Sequence, residues 1–340
     1  MLASRWWVQM TELVSMSSVQ YPVESLPELW FAFVFAVLGA YLLLDGFDFG
    51  VGMLYARADG DERETMHAAF GPVWKANEVW LVLFGTVLFA AFPAVYANLL
   101  SRHYLLIFAI LAALVLRGIG SKLREERDSD RWHRVCDRSF VAGSTLAPFF
   151  LGMLVANWRF GLESTVNGTA IAVGLLLVTL SIVLGASFLT IKTRGDLRRT
   201  MRRYGRLGSV GYVAVSLATI GYIALAEPGG SPVPSTAETA VAIGGTIAFA
   251  ALGIVANRRR QDYGWALSVA GLALVFVVFL AWTMLPAVDP AAALSIREAV
   301  VSPVALTVNS VVAVTFVPLI VGYFVLLYSV FSGPATAGDY

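Results

Sequence analysis

The sequence predicts an all-α polytopic membrane protein of nine spans, with its N-terminus outside and its C-terminus inside, and three observations predict it. Of its 340 residues 58% are hydrophobic and only 14% charged, with a mean hydropathy of +0.73. A soluble domain is about 25% charged, so too few charges are present to cover a soluble surface. Nine apolar stretches, at about 29–54, 76–97, 102–121, 139–158, 168–191, 208–226, 238–256, 264–284 and 303–331, are each long enough to cross about 30 Å at roughly 1.5 Å per residue. The alternating connections then hold Lys and Arg very unequally. Arg5, Arg102, Arg159 and Arg297 fall on one side and the other twenty on the opposite side, which the positive-inside rule makes cytoplasmic.

Taken in order, residues 1–26 (MLASRWWVQMTELVSMSSVQYPVESL) lack the apolar core of a cleaved signal peptide and read as an external extension, with Met16 an alternative start. Residues 27–332 form one transmembrane domain and 333–340 a cytoplasmic tail. Trp30, Trp158 and Trp282 near outer ends, and Trp74 and Trp265 near inner ones, are expected to form aromatic belts. Pro93 in the second span and Pro148 in the fourth are expected to kink their helices. The connections GSKLREERDSDRWHRVCDR and KTRGDLRRTMRRYGR are basic anchors facing anionic lipid. EPGGSPVPSTA (227–237) is an outer turn joining the first six spans to the last three. Cys136 is the single cysteine and rules out an intrachain disulfide. No phosphate loop, nucleophile elbow or metal-spaced Cys/His cluster occurs, which argues against nucleotide-driven transport and hydrolysis; no nucleic-acid partner and no metal site are expected.

The unusual stretch is LLLDGFDFGVGML at 42–54. A carboxylate deep in a bilayer costs about 2.5–3.5 kcal/mol even on the lenient insertion scale, so intramembrane acids are functional candidates by default. Asp45 and Asp48 are three residues apart and share one helix face in the inner third of the first span. Gly46, Gly50 and Gly52 let a neighbouring backbone come close, which would bury the acids between helices to handle protons; the alternatives are ion-paired packing contacts or snorkelling inward. The second span opens with GPVWKANEVWL (71–81), carrying Trp74, Lys75, Asn77, Glu78 and Trp80 at a similar depth. Lys75 either reaches Asp45 or Asp48 or snorkels to headgroups; Arg117, ending the apolar run of the third span, has the same two options. Asn309 reads as packing glue. His67, His103 and His133 lie in loops or at a span end, and Met153 and Met284 read as core fillers, so haem ligation by this chain is not expected.

With these residues laid out, the chain resembles subunit II of the cytochrome bd-type quinol oxidases. The resemblance rests on DGFDFGVGML (45–54), GPVWKANEVWL (71–81), FAAFPAVYA (89–97), DRWHRVCDRSFVAGSTLAPFFLG (130–152) and LTVNSVVAVTFVPLIVGY (306–323). It implies nine helices arranged as two four-helix bundles plus one peripheral helix. It also implies a haem-free subunit in the cell membrane, paired in a heterodimer with a subunit I that carries haem b and haem b or d, oxidises quinol and reduces dioxygen to water. Small accessory subunits, membrane lipid and quinone are the other implied contacts. For particular residues it implies a cytoplasmic proton route through Asp45, Asp48 and Glu78, and polar support or oxygen access beside Trp74, Lys75, Asn77, Trp80 and Arg117. Two positions depart from the family pattern: Lys75 stands in the place of the acid of Trp-Asp-Gly-Asn, and Lys122 stands near the place of another acid.

Two other readings compete. A secondary transporter or cation/proton antiporter would use Asp45 and Asp48 as its carrier site, but the fifth to eighth spans hold no mid-membrane acid to match them. A purely structural subunit would need neither aspartate for turnover.

Overall fold

The computed structural model describes residues 21–127, 129–229 and 232–336. Residues 1–20 of the expected N-terminal extension, with Arg5 and Met16, and residues 337–340 of the expected tail lie outside the described residues. The chain forms α1 (Leu26–Leu54), α2 (Gly60–Phe70), α3 (Trp74–Ala91), α4 (Pro93–Arg102), α5 (Tyr104–Lys122), α6 (Asp130–Phe160), α7 (Gly168–Lys192), α8 (Gly195–Ala226), α9 (Thr236–Arg258) and α10 (Asp262–Met284). A small antiparallel pair, β1 (Ala287–Asp289) and β2 (Leu294–Ser295), then leads through α11 (Ile296–Ala299) to α12 (Pro303–Val330).

Among the described residues eight helices are long and apolar enough to cross a membrane, or nine if α2 and α3, bent by 52° at their junction, count as one broken span. Eight of the nine predicted spans fall within single helices to within a few residues, and the second, 76–97, is divided between α3 and α4. The two basic connections differ from the expectation, because they are largely helical. In α8 the arginine-rich segment continues the span, since Leu197, Met201 and Gly205 recur every fourth residue and bury one face, while Arg198 and Arg202 pair with Asp262, Arg206 bonds Asn257, and Arg199 and Arg203 are exposed. In α6 the helix starts nine residues before the predicted span, at Asp130, capped by Ser129, whose side chain accepts from the Trp132 N–H.

The aromatic belt is a second difference. Trp282 is exposed, but Trp30, Trp74, Trp158 and Trp265 are buried. Trp265 is enclosed because Gly205 leaves its ring room: a Cβ there would stand 2.1 Å from the indole. Trp30 and Trp158 use their indole N–H groups inside the protein, donating to Ser310 Oγ and the Val288 carbonyl, each at 2.8 Å.

Proline acts differently at its two expected kinks. Pro148 lies within an unbroken α6. Pro93, which lacks an N–H, ends α3 and starts α4 across Phe92 (φ −132°, ψ 64°). Unpaired carbonyls are not tolerated at membrane depth, so the broken end needs other donors. Asn309 of α12 donates to the Ala90 carbonyl at 2.8 Å and the Val301 N–H to that of Ala91 at 3.0 Å. Asn309 is therefore packing glue in a specific sense: it completes the hydrogen bonding of a helix interrupted some 200 residues earlier in the chain.

The glycines of α1 bring backbones together as expected. A Cβ on Gly50 would lie 1.9 Å from the Ser181 carbonyl oxygen, and one on Gly185 2.3 Å from the Gly50 carbonyl carbon, so α1 and α7 meet without side chains between them. Asn309→Leu is expected to strand the Ala90 carbonyl at a cost of about 1–3 kcal/mol, seen as a lower thermal unfolding midpoint of the purified protein; an unchanged midpoint would contradict this account of the break.

Candidate functional site

The site is built on α1. Asp45 and Asp48 are both fully buried, on a stretch where Gly46, Gly50 and Gly52 keep the packing partners close. Arg117 reaches them from α5 and is itself 1% exposed; its Nη2 stands 2.7 Å from Asp45 Oδ1. Of its two expected options, Arg117 thus takes pairing with the acids. The guanidinium is sandwiched between aromatic faces, 4.7 Å from the Phe49 ring centroid and 5.6 Å from that of Trp74.

Asp48 has a different partner. Asn77 of α3 donates from Nδ2 to Asp48 Oδ2 at 2.9 Å, and its own Oδ1 accepts from the Tyr328 hydroxyl of α12 at 2.8 Å. The chain Tyr328–Asn77–Asp48 therefore joins the last helix to the first through α3. Tyr328 was not singled out in the sequence, and no local signal marks it: its role depends on α12 folding back 251 residues from Asn77. Tyr41 was also missed, although it lies one turn before Asp45 on α1; it is fully buried and its hydroxyl interacts with that carboxylate.

Glu78 is half-buried on α3 and interacts electrostatically with Arg117 and Asp45. Trp80 is buried against Phe324, ring centroids 5.4 Å apart. Lys75 does not reach the aspartates. It is exposed, its Nζ 5.9 Å from the Trp74 ring centroid, because two residues along a helix from Asn77 it points away from the face that Asn77 turns to Asp48. Lys122 is likewise exposed, at the end of α5. Trp74, Asn77 and Arg117 thus join the two aspartates, Glu78 borders them, Trp80 packs on α12, and Lys75 stands outside.

Several polar atoms in this cluster have no hydrogen-bond partner in the protein: Oδ2 of Asp45, Oδ1 of Asp48, and Nε and Nη1 of Arg117, leaving Asp45 Oδ1 and Arg117 Nη2 to each other. Buried polar groups are nearly always satisfied, and their concentration at one place separates this cluster from ordinary core polarity. The other groups considered for ligation are elsewhere. Met153 and Met284 are buried in the apolar core, His67 packs among Tyr55, Phe70 and Phe140, and His103 lies between α4 and α5 with Nδ1 3.5 Å from Thr165 Oγ1.

Comparison with known proteins decides the family. The profile of cytochrome bd terminal oxidase subunit II matches residues 26–331. The chain belongs to that family. It is accordingly a subunit of a membrane quinol:oxygen oxidoreductase complex, which implies a partner subunit I. Similar proteins include cytochrome bd ubiquinol oxidase subunit 2 of Bacillus subtilis, 29% identical over 90% of this chain and 96% of that protein. The cytochrome bd-I ubiquinol oxidase subunit 2 of Escherichia coli is 28% identical over 93% and 97%. A chain of the bd oxidase of Geobacillus thermodenitrificans has the same fold, with a TM-score of 0.72 and 17% identity over 90% of this subunit and 98% of that chain.

The contacts of this subunit II site generate a quantitative expectation. Tyr328→Phe and Asn77→Ala should be coupled in a double-mutant cycle by about 0.5–3 kcal/mol of unfolding free energy, whereas Tyr328→Phe and Lys75→Ala should add to within about 0.5 kcal/mol. Equal coupling in both cycles would mean that the hydroxyl–amide contact does not exist.

Proposed function

We propose that this chain is the haem-free subunit of the oxidase and carries a proton route toward the oxygen-reducing haem of subunit I through Asp45, Asp48 and Glu78. The observation that carries this reading is the buried cluster itself: three acids around one guanidinium, with several oxygen and nitrogen atoms lacking a protein partner. A buried group without a fixed partner is where water or a transferable proton is accommodated. Tyr328 and Asn77 would hold Asp48 in position, and Arg117 would balance the charge of Asp45 while protons move past it. Quinol, which is ubiquinol in the names of the Bacillus subtilis and Escherichia coli relatives, is the substrate of the complex, and haem b with haem b or d would sit in subunit I.

The orientation that supports this route puts the N-terminus outside and the C-terminus in the cytoplasm of a cell-membrane protein, following the four-to-twenty division of Lys and Arg. The two-bundle reading groups α1, α3, α5 and α6 around the acids and α7 to α10 beside them, with α12 as the peripheral helix. Oxygen access is supported by an apolar cavity among α3, α4, α5 and α6, lined by Leu81, Phe84, Leu88, Leu111, Leu151 and Leu154. Membership of an oxidase family leaves the antiporter reading without support.

Asp48→Asn and Asp45→Asn, each in the assembled complex, are expected to lower turnover and proton uptake by on the order of 10²-fold with haem content retained, as for loss of a group that transfers protons. Full turnover with normal proton uptake would leave both aspartates a structural role only. Lys75→Gln should change turnover by less than about twofold, since an exposed charge contributes under ~1 kcal/mol; a large loss would place position 75 on the route.

A further inference from the structure

We propose that this subunit binds one anionic phospholipid, a single acyl chain entering the cavity enclosed by α6 to α10 and the headgroup phosphate meeting Arg159 at its mouth. The cavity is almost wholly apolar, walled by Val173, Leu176, Ile223, Phe276 and Leu280. Tyr212, Leu176 and Val173 on its wall are buried, whereas Ala224 and Val233 near the end of α8 are exposed, so it opens at that end. From Ile223 to Tyr212 the wall follows α8 for about 16 Å at 1.5 Å per residue, roughly half of the ~30 Å hydrocarbon core. That is the depth of one leaflet, hence of one acyl chain.

Arg159 selects the headgroup. It lies in the last turn of α6, is 5% exposed and lines the open end of the cavity. Its Nε donates to Thr283 Oγ1 at 2.8 Å and its Nη2 to the Pro232 carbonyl at 3.1 Å, both neutral acceptors. Glu238 acts on it electrostatically, but that carboxylate is held in a capping box, accepting from the Ser235 N–H at 2.7 Å. Among the described residues no ion pair holds Arg159. A guanidinium so placed, fixed by neutral groups at the interfacial end of an apolar slot, complements a phosphate diester in charge and in bidentate geometry. Zwitterionic lipids bring the same phosphate together with a compensating cation, so the site favours lipids with net negative charge.

The test uses the assembled oxidase complex, washed in detergent until loosely held lipid is gone and offered phosphatidylglycerol or phosphatidylcholine before native mass spectrometry. One phosphatidylglycerol per complex should be retained at this subunit with about tenfold or greater preference over phosphatidylcholine, the scale of a charge-assisted hydrogen bond. Arg159→Gln should abolish the preference. Ala242→Phe, which fills the slot and leaves Arg159 in place, should abolish retention while haem content stays normal, so either variant is decisive if the other fails to assemble. Equal uptake of the two lipids by the wild type, retention unchanged in the variants, or a quinone as the molecule lost on filling the slot would overturn the proposal.

Discussion

The contact between Asp45 and Arg117 is the constraint to which the surrounding helices conform. Each ion removed from water costs several kcal/mol, and only close approach recovers it. The pair stands at 2.7 Å, both side chains essentially unexposed. That geometry requires α5 to lie close to α1 and the helices around them to approach without bulk. Gly143 of α6 meets α5 at Arg117 itself, where an added Cβ would be 2.4 Å from the arginine backbone nitrogen. Gly50 of α1 meets Gly185 of α7 about one turn beyond the aspartates. The small residues thus surround the charged pair and allow the apolar helices to close over it.

The same economy of packing explains how α12 is attached. Most of its surface is exposed, and between apolar helices in lipid no hydrophobic gain drives association. Polar contacts hold it at both ends. Asn309 and Ser310 bind the Ala90 carbonyl and the Trp30 indole at one end; Tyr328 binds Asn77 at the other, where Lys192 also donates to the carbonyls of Phe331 and Gly333. The break in α3 at Pro93 and the buried Asp48 are therefore served by one helix, which ties the proposed proton route to the interrupted span.

What could be read in advance follows the range of the physics. Spans are a local property of hydropathy, and the cost of a carboxylate in lipid is local too, so the helices and the burial of Asp45 and Asp48 were legible before the fold was known. The partner of Arg117 was legible only as one of two options, because snorkelling and pairing leave the same local pattern. Trp265 reads as an interfacial anchor from its place near a helix end, but Gly205 on another helix makes room for it. Tyr328 and Tyr41 are ordinary aromatic residues of apolar helices in sequence; only the three-dimensional path of α12 and the face of α1 turn them toward the acids.

The two lysines that break the family pattern acquire a physical meaning from this arrangement. A lysine inside the cluster would add a second cation and a second desolvation cost, and would bring an ammonium against Arg117. Neither lysine does so. Lys75 turns away from the face shared by Asn77 and Glu78, lies along Trp74, and lines a surface cavity together with Lys192. Lys122 stands beyond the last apolar turn of α5. The exchange of acid for base at these positions thus leaves the charge within the cluster unchanged, with Asp45, Asp48 and Glu78 set against Arg117 alone. It alters the potential outside, where a positive surface repels an approaching hydronium ion, so protons on the proposed route depend more heavily on Glu78, the one acid of the three that is not fully buried.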